Sequence, residues 1–134
     1  WRRIGRSRGT AHSCTYQGLM VTAATIYMAL LGHEGLRRVA LTSQAQTAAL
    51  VEMLCGIDGV ERAFDDAHFH EATLRFDRPV RPVLDALAER DILGGYDLTD
   101  AFPDLGNALL VCATETKLEA DLEAYRDALR DVMQ

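Results

Sequence analysis

The sequence predicts an α+β fold in which helices pack on one face of a small, mostly antiparallel sheet. Two helical patterns fill the chain up to Cys55, and after Gly56 the hydrophobic period shortens to that of strands. The predicted elements then follow in the order strand, strand, helix, strand, helix. With 134 residues, of which 49% are apolar and 25% charged, the chain is long enough to bury one core.

Two helices are predicted at the start of the chain. The first, residues 14–31, is apolar on nearly all sides, so it needs cover over most of its surface. Gly32 is a natural C-terminal cap for this helix. The second helix begins at Glu34 and ends at about Leu54. It presents one apolar stripe, formed by Leu36, Val39, Ala40, Leu50, Val51 and Leu54.

Three segments have the patterns of strands. Val60–Phe64 and Glu71–Phe76 are the first two, and the alternation of apolar and polar residues in the second predicts that one face of the sheet meets water. Leu109–Ala113 is apolar throughout, which favours a central strand over an edge strand. Residues 94–107 show little regular pattern, and loops of this length are often functional.

The last two predicted helices carry start signals. Asp77 is predicted to cap the first of them, with Pro79 in its first turn. The buried edge of that helix is predicted to be Val80, Val83, Leu84 and Leu87. A capping box at Thr116–Glu119 is predicted to open the final helix. Its core-facing stripe is predicted to be Leu118, Leu122, Tyr125, Leu129 and Val132.

The charge of the chain is unevenly distributed. Four of its 14 basic residues lie among the first eight residues, before the first acidic residue, Glu34. The remaining 10 basic residues face 20 acidic ones, so the rest of the chain has a net charge of −10. Such a surface repels a phosphate backbone, and we expect no nucleic-acid partner. The basic start is either an arm or a linker cut from a preceding domain, and its composition favours the linker. Because the first residue is Trp1 and not Met, we treat the chain as a possible fragment.

Cysteine usage and hydropathy indicate the compartment. Cys14, Cys55 and Cys112 are widely separated and form no Cys-x-x-Cys pair, which favours reduced thiols and a cytoplasmic protein. The longest apolar run, Gly18–Leu31, is shorter than the roughly 20 residues that span a bilayer. It also lacks a signal-peptide cleavage site. We therefore expect no membrane association.

Two local motifs suggest ligand binding, and each has a plainer interpretation. His68 and His70 would face the same side of a strand and could bind zinc, but a third ligand is not evident, and surface histidines are the alternative. We expect no metal. Gly94–Gly95 has an incomplete dinucleotide-binding pattern and no surrounding strand-to-helix turn, so a tight turn is the alternative.

Residues that could act in catalysis are scarce. His12, Ser13 and Cys14 have the types of a nucleophile and its base, but adjacent side chains seldom point at one another. Lys117 is the only lysine and lies near the start of the last helix, where it is expected to be exposed. A Schiff-base lysine needs burial to lower its pKa. We therefore expect no catalytic residue and no internal aldimine in this chain.

From about Arg8 onward the sequence resembles glycine dehydrogenase (decarboxylating), the P-protein of the glycine cleavage system. The resemblance is to subunit 1 or to the N-terminal half of the single-chain form. It is carried by segments in matching order: TAHSCT (10–15), GLMVTAATIYMALLGHEGLRRVA (18–40), GIDGVERAFD (56–65), FHEATLRF (69–76), ERDILGGYDL (89–98) and LLVCATE (109–115).

The resemblance implies the C-terminal part of a fold-type I enzyme that depends on pyridoxal phosphate. Residues 1–13 would be a linker from a missing large domain, residues 14–32 an interdomain helix, and residues 33–134 the small α+β domain. The family decarboxylates glycine and passes the aminomethyl group to the lipoyl arm of the H-protein. In the two-subunit form the aldimine lysine belongs to subunit 2, so subunit 2 and the H-protein are the implied partners.

The sequence departs from the family pattern at two places. The family's Thr-Ser-Asn-Ile becomes Thr-Ala-His-Ser at residues 10–13, and an Asn becomes His70. The resemblance places the first segment near the active-site cleft, although capping of the following helix is an equally good role for Thr15. The residues predicted to line the cleft are Thr10, His12, Thr15, Gly94 and Gly95.

The fragment itself is expected to lack activity, and two other functions are open. One is a free-standing α+β interaction module without catalysis, and the other is a metal-binding domain built on His68 and His70. Because the first predicted helix is apolar on nearly all sides, we also expect the isolated chain to self-associate unless its own sheet covers that helix.

Overall fold

The structure, a computed structural model, describes residues 18–134. It divides into two compact units, one ending at Arg37 and the other comprising Arg38–Gln134. The boundary falls within helix α1, Gly18–Cys55. The predicted helix start at residue 14 lies outside the described residues.

Helix α1 is interrupted at one residue. Gly32 has φ 60° and ψ −173°, a conformation that glycine adopts without steric cost, and the residues on both sides are helical. The predicted break at Gly32 is therefore confirmed, and the second predicted helix ends close to its predicted position.

The first half of α1 has an apolar surface. The hydroxyls of Thr22 and Thr25 donate to the carbonyls of Gly18 and Val21, so these polar groups are satisfied within the helix. Leu19 and Leu30 are 79% and 81% exposed. The cover that the sequence predicts for this surface is not provided by the described residues.

The length of α1 also changes the membrane argument. Because helical residues resume after Gly32, the 38-residue helix is long and apolar enough to cross a bilayer, by length and composition alone. The expectation that this segment is too short to do so is wrong. Length and composition do not separate a membrane span from a helix covered by other protein.

The second unit is built on a four-stranded antiparallel sheet with the strand order β1-β2-β4-β3. The antiparallel α+β architecture and the central position of β4 are confirmed, although β1 ends two residues earlier than predicted. The elements that follow α1 are β1 Val60–Arg62, β2 Glu71–Phe76, α2 Val80–Ala88, β3 Tyr96–Asp97, a 3₁₀ turn at Pro103–Leu105, β4 Ala108–Cys112 and α3 Glu119–Met133.

The core lies between one face of the sheet and the three helices. Leu74 of β2 and Leu109 of β4 are register partners, and both are completely buried. The opposite face carries Glu71 and Cys112, which are exposed, as the alternation in β2 predicts. Each layer contributes at least one leucine to the core: Leu50, Leu54, Leu74, Leu87, Leu109 and Leu129.

Two buried polar side chains of α1 hold the segment that follows β4. The Thr47 hydroxyl donates to the carbonyl of Ala113 (2.8 Å) and accepts from its N–H (3.3 Å). Ser43 makes the equivalent pair of bonds to the backbone N–H and side chain of Glu115. Ala113 lies one residue past the last β2–β4 pair, so Thr47 takes the place of a strand partner.

Both predicted helix caps are wrong. Helix α2 begins at Val80 with Pro79 as its N-cap, and Asp77, two residues earlier, pairs with Arg78 at 2.9 Å instead. Helix α3 begins two residues later than the predicted capping box. There Asp121 accepts from the N–H of Leu118 at 2.8 Å.

The error at α3 has a local cause. The hydroxyl of Thr116 bonds that of Thr114 (3.0 Å), and the Lys117 N–H donates to the carbonyl of Thr114 (3.1 Å), so these residues form a turn before the helix. Leu118 consequently lies 69% exposed outside the core. The buried residues of α3 are Leu122, Tyr125, Ala128, Leu129 and Met133.

Candidate functional site

The second unit contains a groove of about 530 Å³ beside the last residues of β4. The loop of residues 91–96 lines one part of it, and the start of α3 lines another. Much of the lining is apolar, and it is supplied by four different elements or connections: Leu50, Leu110, Ala113 and Leu122.

Gly94 and Gly95 shape the loop that lines this groove. Gly94 is buried, and a Cβ atom there would lie 2.7 Å from Leu87 Cδ1, too close for any larger residue without movement. Gly95 has φ 146°, and a Cβ atom there would collide with the carbonyl oxygen of Leu110. The pair forms a tight, closely packed connection, which agrees with the plainer interpretation of this motif.

Tyr125 fixes this connection from α3. Its hydroxyl donates to the carbonyl of Gly94 at 2.5 Å in a buried position. Burial raises the pKa of Tyr125 well above its ordinary value, because the phenolate would lose its hydration. Tyr125 is therefore a neutral hydrogen-bond donor with a structural role at the back of the groove.

The charged lining of the groove is mostly acidic. Glu71, Asp91 and Asp121 contribute carboxylates, and Lys117 is the lysine among the lining residues. Burial, and then the Glu71 carboxylate, raise the pKa of the Cys112 thiol. Because the thiolate is the reactive form, Cys112 is a poor nucleophile in this setting.

The structure describes two of the five predicted cleft residues. Gly94 and Gly95 line the groove, whereas Thr10, His12 and Thr15 lie outside the described residues. Sequence reasoning did not point to Glu71, Asp91 or Cys112. Glu71 comes from β2, Cys112 from β4 and Asp91 from the connection between α2 and β3, and no local pattern links them.

The histidine pair is not arranged as predicted. His68 and His70 precede β2 and are not in a strand, so the alternation argument does not apply to them. His70 packs edge-on against Phe69 with ring centroids 4.7 Å apart, and its buried Nδ1 atom has no hydrogen-bond partner within residues 18–134. Over the same residues, no three His, Cys, Asp or Glu side chains are grouped as metal ligands.

Comparison with known proteins identifies close relatives. The family model described as "Glycine cleavage system P-protein" matches residues 2–129. The probable glycine dehydrogenase (decarboxylating) subunit 1 of Thioalkalivibrio sulfidiphilus is 57% identical over 129 residues, which are 96% of this chain and 28% of the relative. The Nitrosospira multiformis protein of the same description is 54% identical over 133 residues, 99% of this chain and 29% of the relative.

A solved structure agrees with the sequence comparison. The inhibitor-bound crystal structure of glycine decarboxylase (P-protein) of the glycine cleavage system superposes with a TM-score of 0.83 at 33% identity. It matches 95% of this chain and 29% of its own length, so this chain spans less than a third of the relatives that it matches. The chain belongs to the glycine cleavage system P-protein family.

Proposed function

We propose that this chain is the C-terminal part of subunit 1 of a cytoplasmic glycine dehydrogenase (decarboxylating). The complete enzyme would decarboxylate glycine and transfer the aminomethyl group to the lipoyl arm of the H-protein. The observation that carries this proposal is the 57% identity to a probable subunit 1 over nearly the whole chain. The order of a long helix followed by a small α+β unit supports the C-terminal placement.

The chain by itself is proposed to be inactive. Its single lysine, Lys117, is exposed, whereas a lysine that forms an internal aldimine is usually buried. The groove does not fit pyridoxal phosphate either. The groove is lined by three carboxylates and by the single lysine Lys117. The carboxylates would repel the phosphate group of the cofactor. The resemblance to the family implies that the cofactor lysine belongs to subunit 2.

The predicted cleft residues remain part of this proposal. Thr10, His12 and Thr15 would line the cleft or brace its backbone, and Gly94 and Gly95 would let the loop approach closely. Replacing the first three together by alanine in the complete enzyme is expected to reduce glycine–bicarbonate exchange. Unchanged exchange would remove the cleft role of these residues, and capping of the helix would be the remaining role of Thr15.

A chimera tests the proposed function directly. Residues 2–129 of this chain replace the matching region of the T. sulfidiphilus subunit 1, and the chimera is assayed for glycine–bicarbonate exchange with subunit 2, H-protein and pyridoxal phosphate. We expect exchange with the chimera and none with this chain alone under the same conditions. A folded, assembled chimera without exchange would contradict the proposal and favour the free-standing interaction module.

A further inference from the structure

We propose that the groove beside β4 is a docking site for an extended segment of a partner protein. The segment would carry one large apolar side chain flanked by arginine or lysine residues. This surface is a separate property of the chain and does not depend on the proposed function. Three features of the described residues support it: an incomplete strand edge, an exposed apolar rim and an acidic lining.

The strand edge is incomplete at Cys112. Strand β2 pairs with β4 along its whole length, but β3 pairs only with Leu109 and Leu110. The Leu98 N–H donates to the carbonyl of Ala108, so this carbonyl points toward the β3 side of β4. The side of the strand toward which the backbone N–H and C=O groups point alternates from one residue to the next. Cys112 lies four residues after Ala108, so its N–H and C=O also point toward the β3 side of β4, at a level beyond the end of β3.

The connection that precedes β3 leaves this edge open. Gly94 would lie opposite Cys112 if β3 continued, but its carbonyl accepts from Tyr125 instead. Within residues 18–134, no backbone hydrogen bond joins Cys112 to the loop of residues 91–96. An extended segment in the groove can therefore pair with one donor and one acceptor, as strands added to sheet edges do.

The apolar rim indicates what side chain the segment would carry. Leu93 is 95% exposed and Tyr96 is 64% exposed, and both line the groove together with the half-buried Leu110. Single exposed leucines are common, but exposed apolar side chains around a concave apolar lining are typical of binding sites. A large apolar side chain would bury against this rim.

Charge decides between possible occupants. Glu71, Asp91 and Asp121 outnumber Lys117 in the lining, and the chain after its basic start has a net charge of −10. A nucleic acid, a phosphorylated ligand or an acidic peptide would be repelled, whereas arginine or lysine beside the apolar anchor would be attracted. The occupant is therefore a basic segment of protein.

A labelled peptide tests the proposal by fluorescence anisotropy at low salt. The probe is nine residues long, with an acetylated N-terminus and a central leucine flanked on each side by two arginines. We expect saturable binding to this chain, and binding at least about tenfold weaker when the arginines are replaced by glutamates. N-methylation of the central leucine, which prevents pairing with Cys112, is expected to weaken binding by about the same factor.

Variants of the chain locate the site. E71Q/D91N removes two groove carboxylates and is expected to weaken binding about fivefold, and Asn is compatible with the positive φ of Asp91. L93S is expected to weaken binding roughly tenfold without unfolding the chain, because Leu93 is exposed. The matched control E52Q/D131N removes two exposed charges outside the groove and is expected to leave binding within about twofold.

Several results would overturn the proposal. These are an absence of saturable binding by the arginine peptide, equal binding of the glutamate peptide, or the same loss in E52Q/D131N as in E71Q/D91N. Binding that is lost in L19K/L30K but kept in L93S would place the peptide on helix α1 and would also reject the groove. None of these results depends on glycine–bicarbonate exchange, so the chimera and the peptide experiments can fail separately.

Discussion

Substitution of Thr47 by valine tests how the structure holds the segment after β4. Valine keeps the shape of the side chain but removes the hydroxyl that bonds both backbone groups of Ala113. Thr47 is completely buried and Ala113 is only 2% exposed, so water cannot replace the lost partner. The N–H and C=O of Ala113 would be left buried and unpaired.

The size of the effect follows from these two groups. Each unpaired buried backbone group costs about 1–3 kcal/mol, and the added methyl group returns about 0.8 kcal/mol. The two groups together cost about 2–6 kcal/mol, so we expect T47V to lower the free energy of unfolding by about 1–5 kcal/mol. In urea, followed by far-ultraviolet circular dichroism, this corresponds to a midpoint lower by about 0.5–2.5 M at an unchanged slope of about 2 kcal/mol/M.

Two control variants separate the hydrogen bonds from packing. T47S keeps the hydroxyl and loses only a methyl group, so we expect a loss of about 1 kcal/mol. T73V makes the same substitution at a half-buried position on the face of β2 away from the core. The Thr73 side chain has no hydrogen bond within the described residues, so we expect almost no effect. If T47V destabilises the protein no more than T73V, or if T47S matches T47V, the reasoning is wrong.

Three further expectations follow from the structure. G95A is expected to destabilise the second unit by at least about 1 kcal/mol, because of its positive φ and the collision with the Leu110 carbonyl. G18A, where a Cβ atom meets no other atom of residues 18–134, is not expected to destabilise it, and urea midpoints check both. Stability is expected to fall as the pH rises above about 10, because Tyr125 then ionises in the unfolded chain, whereas burial raises its pKa in the folded protein. Urea midpoints of wild type and Y125F, compared between about pH 9 and about pH 11, test this expectation. An equal fall in Y125F would contradict it. L19K/L30K, which charges one apolar face of α1, is expected to reduce self-association in sedimentation velocity, whereas L118K, at another exposed leucine, is not.

The sequence predicts the elements of this fold well where the hydrophobic period is long enough to read. The bounds of β2 match the prediction, and Gly32 interrupts α1 as expected. Strand β3 was missed because two residues cannot show alternation. The cap of α3 was misplaced because a hydroxyl near a helix start has several possible backbone and side-chain partners, and at Thr116 the partner is another threonine. The cap of α2 was misplaced because the Asp77 carboxylate pairs with Arg78 instead.

The candidate site was harder to predict than the fold. The burial of Ser43 and Thr47 is indicated by the sequence, because these residues continue the helical spacing of the apolar stripe Leu50, Val51 and Leu54 toward the N-terminus. The groove has no comparable signal. Its carboxylates are far apart in the sequence. They line the same groove only because β2 pairs with β4 and the connection that contains Gly94 and Gly95 turns beside these strands.

We expect the stability and the self-association of this chain to depend on different residues. Within residues 18–134, every buried side chain belongs to Ser43 or a later residue, so the core is complete without the first half of α1. The large exposed apolar side chains of α1 cluster in that first half. T47V should therefore lower the unfolding midpoint without changing the association state of the folded protein, and L19K/L30K should do the reverse. If both variants changed both properties, the core and the apolar helix would be energetically coupled, and covering α1 would be a condition for folding as well as for solubility.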